Sequence, residues 1–84
     1  MTIETNTKVR PLYEIAEDIW ATWSNVYFGA RPYLEAMESL SAITDSYALD
    51  SGKSIVRYFL ANAGSWRGAD ARRIKAELKA MLAA

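Results

Sequence analysis

DSGKSIVRYFLANAGSWRGADARRIKAELKAML, residues Asp50 to Leu82, reads as two amphipathic helices joined by a short turn. In its first half Ile55, Val56, Phe59, Leu60 and Ala63 recur at the spacing that keeps side chains on one face of a helix of about 3.6 residues per turn. Ala71, Ile74, Leu78, Met81 and Leu82 form the matching stripe in the second half. Between them Gly64 and Gly68 bracket Ser65, Trp66 and Arg67, and Gly64 is expected to take the left-handed conformation that closes a helix. The stretch therefore predicts a C-terminal helical hairpin, one helix capped by Asp50 or Ser51 and running to about Ala63, the other from Gly68 to Leu82.

Upstream, Leu12, Ile15, Ala16, Ile19, Trp20 and Trp23 make the clearest helical stripe in the chain, and Pro11 suits a first helical position because its missing N–H has no partner to lose. A first helix from Pro11 to Ser24 follows. Asn25 to Arg31, NVYFGAR, breaks the period, and at least two of Val26, Tyr27 and Phe28 are expected to tuck beneath the helices. A second helix starts at Pro32, carries Leu34, Met37 and Leu40 as its spine, and ends near Thr44. Thr44 to Asp50, TDSYALD, is rich in turn and cap formers and reads as a connection. The expectation is an all-α fold: a compact bundle of about four short helices in a single domain, residues 11–84, preceded by a flexible N-terminal arm, residues 1–10.

Composition excludes more than it assigns. Eighty-four residues suffice for one modest core, and 51% hydrophobic residues with three tryptophans make the chain too apolar for a disordered tail. There is no cysteine and no histidine, so disulfides and the usual structural zinc sites are ruled out. No apolar run approaches a membrane span, and the N-terminus lacks the order of a secretion signal, so a soluble cytoplasmic protein is expected. Net charge is zero but unevenly spread: residues 1–49 carry three basic and seven acidic groups, residues 50–84 seven basic and three acidic. A polycation that binds nucleic acid through bulk charge is therefore not expected, which leaves a basic face on the C-terminal half open.

Gly52-Lys53-Ser54 looks like the end of a phosphate-binding loop. The full pattern, however, requires glycine where Tyr47 stands and a preceding strand, so the match reads as accidental. Glu14, Glu17 and Asp18 share one helical face and Glu35 and Glu38 another, but carboxylate metal sites on helices draw on histidine as well, and these read as solvated faces. No serine has an evident base. The sequence thus predicts a non-enzymatic protein without cofactor or metal.

The segments NVYFGARPYLEAM (Asn25 to Met37), DSGKSIVRYFLANAGSWRG (Asp50 to Gly68) and ARRIKAELKAML (Ala71 to Leu82) resemble the small helical accessory proteins that recur in genomes of phages infecting mycobacteria and related actinobacteria. The resemblance implies a context and no functional residue: a protein acting in the host cytoplasm by binding a host or phage protein. The residues expected to bind such a partner are Tyr27, Phe28 and Trp66 with flanking Arg31 and Arg67, large rigid side chains beside directional hydrogen-bond donors, the other reading of Trp66 being a buried plug that closes the end of the hairpin. The alternative is a helix-turn-helix-like nucleic-acid binder reading through Arg67, Arg72, Arg73, Lys75 and Lys79. A homo-oligomer joined through the opposite charges of the two halves is a third expectation.

Overall fold

The computed structural model describes residues 9–84, so of the expected N-terminal arm only Val9 and Arg10 are among the described residues. Among the described residues four helices, α1 (Leu12–Thr22), α2 (Arg31–Met37), α3 (Gly52–Ala61) and α4 (Ala69–Ala83), enclose one core. The fold is compact and mostly helical but not all-α. Two short strands, β1 (Ser46–Tyr47) and β2 (Asp50–Ser51), pair antiparallel in the segment expected to be a plain connection, with Ser46 opposite Ser51 and Tyr47 opposite Asp50.

The apolar stripes explain the packing. Leu12, Ile15 and Ile19 from α1, Leu34 and Met37 from α2, Val56 and Phe59 from α3, and Ile74 and Leu78 from α4 are fully buried together. Each such side chain contributes roughly 1.5–3 kcal/mol by leaving water. No polar or charged side chain among the described residues is buried. Pro11 caps α1 without a side-chain bond; instead the N–H groups of Leu12 and Tyr13 donate to the carbonyls of Ser41 and Leu40, at 2.8 and 2.9 Å. The start of α1 is thus satisfied by the chain leaving α2.

That arrangement explains why α2 stops at Met37 rather than near Thr44. Glu38, Ser39 and Leu40 close with tighter turns of hydrogen bonds to Glu35, Ala36 and Met37, which free the following carbonyls for α1. One Asp45 carboxylate oxygen then accepts from the N–H groups of Ser41 and Ala42, holding the loop in a conformation that competes with helix. Ala48, at φ 56°, supplies the left-handed residue of the two-residue hairpin loop. Ser51 caps α3 by accepting the Ser54 N–H at 3.1 Å. Gly52 is where α3 presses on the loop: a Cβ there would come within 2.6 Å of the Ile43 carbonyl oxygen. The Gly52-Lys53-Ser54 triplet is therefore a close-packed helix start.

Arg10 fastens α4 to the start of α1. Its guanidinium donates to both carboxylate oxygens of Glu77, at 2.9 and 2.7 Å, and to Asp18 at 3.1 Å. Asp18 also accepts from Arg73 at 3.1 Å, and Arg73 reaches back to Asp70 at 3.0 Å. Among the described residues, none of the helices is long and apolar enough to cross a membrane.

Candidate interaction surface

Two tryptophans bring the two helix-to-helix turns to one end of the molecule. Trp23 ends α1, Trp66 precedes α4, and their rings stack with centroids 5.2 Å apart and planes 6° from parallel. Phe59 of α3 meets both edge-on, at 6.2 and 6.4 Å. Offset-stacked and edge-on contacts are the arrangements favoured by the ring quadrupole, so this trio ties residues 23–30 to residues 62–68. The turns touch elsewhere too: a Cβ at Gly29 would lie 3.0 Å from the Asn62 Oδ1.

Trp66, expected among the partner-binding residues, is 4% exposed. Its indole closes the core between α1 and α3, so it cannot offer a surface to a partner. Lys75 covers it from outside, donating from Nζ to the Trp66 carbonyl at 2.7 Å with the ammonium 5.9 Å from the ring centroid. Gly64, expected to be left-handed, is not; Gly68 is, at φ 109°, where it caps α4. The helix before the turn ends earlier, at Asn62, whose side chain bonds the Tyr58 carbonyl.

The other expected residues are at the surface. Phe28 is 76% exposed and Tyr27 44%, their rings 4.8 Å apart, and only Val26 of that trio tucks into the core. The expectation of two buried residues among these three is corrected: Val26 alone joins Trp23 and Ala30 in the core, and the aromatic pair packs on itself outside it. Arg31 is exposed at the first residue of α2, with one long bond from Nε to the Val26 carbonyl at 3.4 Å, and Arg67 is exposed in the second turn. Between the turns lies an open pocket of about 320 Å³ lined by Tyr27, Ala61, Asn62, Gly64 and Ser65. Asn62 and Ser65 were not singled out by the sequence reading, although polar residues flanking a tryptophan turn were the available signal.

Charge at this end is one-sided. There is no aspartate or glutamate from Ile19 to Leu34 or from Ser51 to Ala69. Asp70 begins just beyond and is paired with Arg73. Partial burial, then repulsion by Lys79 and Arg67, lowers the Lys75 pKa.

The basic residues of the nucleic-acid alternative do not form one free face. Arg73 is bound to Asp18 and Asp70, hydrogen bonds that raise its pKa, the Asp18 bond contributing most. Lys75 is turned onto Trp66. Arg67, Arg72 and Lys79 remain exposed. Among the described residues no cluster of three or more acidic side chains could hold a metal ion. The chain matches no protein-family model, no curated protein and no solved structure.

Proposed function

We propose that this chain is a non-enzymatic accessory protein of a phage of actinobacteria, acting in the host cytoplasm by binding a host or phage protein through the end where the two turns meet. The observation that supports this reading is the exposure of Phe28 beside Tyr27, which lines the pocket, on a frame held by buried aromatics. A large aromatic presented from a fixed turn contributes apolar area at small entropic cost, which is what a binding anchor needs. Phe28 is the anchor, Tyr27 its support, and Arg31 and Arg67 the polar rim; Trp66 acts beneath them as the strut.

The second reading is nucleic-acid binding by α4, with α3 and α4 as a helical hairpin. What favours it is the exposure of Arg67, Arg72 and Lys79. The seven residues from Asn62 to Gly68 that separate the helices are more than the three or four of the usual reader, and two of the five cations are engaged within the fold. The protein-binding reading is therefore preferred.

The test is capture from lysate of a mycobacterial host by the tagged protein and by its Phe28→Ala variant, with nuclease and high-salt washes in parallel. One protein retained by the parent through both washes and lost by Phe28→Ala supports the reading. Retention by both proteins alike removes Phe28 as the anchor, and capture that vanishes with nuclease transfers the function to α4.

A further inference from the structure

The cations at this end are placed where folding does not want them. Arg31 occupies the first turn of α2, and Arg67 stands one residue before the Gly68 cap of α4. The start of a helix carries partial positive charge, so a carboxylate is stabilising there and an arginine is not. The first turn of α2 contains no acidic residue, and both turns lack one altogether. Two of the other helices do start with an acid, Glu14 in α1 and Asp70 in α4, and Arg10, Arg73, Asp18 and Glu77 are linked, whereas α3, like α2, starts without one and carries Lys53 in its first turn. What sets Arg31 and Arg67 apart is that they lie in or beside the two turns that hold the exposed aromatic pair and the pocket.

We infer that the partner of this surface is an acidic protein segment, presenting carboxylates on either side of an apolar side chain that seats against Phe28 and Tyr27. The inference rests on the reading of the turn end as the binding surface and adds the chemistry of what it binds. Arginine suits the task because its planar fork takes a carboxylate through two parallel hydrogen bonds. Apolar contact with Phe28 supplies affinity, and the arginines supply register and attraction at a distance. A nucleic acid fits less well, because the chain as a whole has no net charge and Arg73 and Lys75 are engaged within the fold.

The test uses the full chain labelled with ¹⁵N and three probes followed by amide chemical shifts: a glutamate-rich peptide, a lysine-rich peptide with the same leucine and phenylalanine content, and an oligothymidylate. The glutamate-rich peptide is expected to shift the amides of Phe28, Arg31, Ser65 and Arg67 and to bind about tenfold or more tightly than the lysine-rich one, the difference shrinking with salt. Arg31→Glu combined with Arg67→Glu should erase the preference. Arg31→Glu alone should weaken acidic-peptide binding while raising the thermal midpoint, a combination that a merely structural arginine would not produce. Equal response to the two peptides overturns the acidic partner and leaves the aromatic surface standing. Response to neither overturns the surface itself. Tighter binding of the oligothymidylate at the same amides also overturns the proposal, in favour of nucleic acid.

Discussion

Trp66→Ala should remove a large share of the protein's stability. A buried tryptophan removes about 200 Å² from water, which at about 25 cal/mol per Å² amounts to about 5 kcal/mol. The cavity left behind raises the cost and local collapse lowers it, so a loss of about 4–5 kcal/mol is expected. A domain of this size has a total stability of roughly 4–13 kcal/mol, so the variant would lose about a third of it or more and, at the low end of that range, would unfold. Trp66→Phe keeps an aromatic against Trp23 and Phe59 and should lose about 1–2 kcal/mol. Urea unfolding followed by far-ultraviolet circular dichroism reads both values. A cycle with Trp23→Phe should return a coupling of about 0.5–1.5 kcal/mol for the stacked pair. If Trp66→Ala costs less than about 1 kcal/mol with an unchanged denaturant slope, the indole is not the strut between the turns, and the argument for a single fixed surface fails with it.

The two glycines of the second turn should behave oppositely. Gly68→Ala places a side chain at φ 109° and should cost about 1–3 kcal/mol. A Cβ on Gly64 meets nothing within 4 Å, so Gly64→Ala should be neutral or stabilise by up to about 1 kcal/mol; equal effects in thermal melts would contradict the backbone assignment. Ala48→Gly relieves a left-handed alanine and should stabilise by about 0.5–1 kcal/mol, and a lowered midpoint would be the contrary result. The Asp18 carboxyl is held below its ordinary range by the Arg73 hydrogen bond and then that of Arg10. Its contribution is complete above that range and is lost as pH falls from about 4 through the depressed value. Asp18→Asn should therefore be less stable than the parent at neutral pH, with the difference closing in acid; a constant difference across the titration would refute the linkage.

What could be read from the sequence follows the range of the interactions that decided it. The stripes from Leu12 to Trp23 and from Ala71 to Leu78 are local patterns, and they placed α1 and α4 within a residue or two of their ends. The early stop of α2 was not legible, because it depends on Leu40 and Ser41 giving their carbonyls to α1 and on the Asp45 side chain holding the loop. The hairpin was missed for a related reason: two strands of two residues, joined through an alanine in the left-handed region, carry no alternation and no glycine signal. For the candidate surface, Phe28, Tyr27, Arg31 and Arg67 were visible as residue types, but their convergence was not, since it depends on the Trp23 and Trp66 rings meeting across the core. That same contact decided Trp66 against exposure, a choice its place between two glycines left open. The absence of carboxylates from both turns was legible from the start and acquires meaning only once the turns lie together.

The most direct test of the binding surface is photo-crosslinking inside infected or expressing host cells, with a benzophenone side chain placed in turn at Phe28, at Leu49 of the exposed hairpin tip and at Glu17 on the acidic face of α1. One dominant protein adduct from position 28, with none of that mass from positions 49 or 17, is the result predicted here. Adducts arising from position 49 or 17 while position 28 stays unreacted would place the binding surface elsewhere and contradict the account.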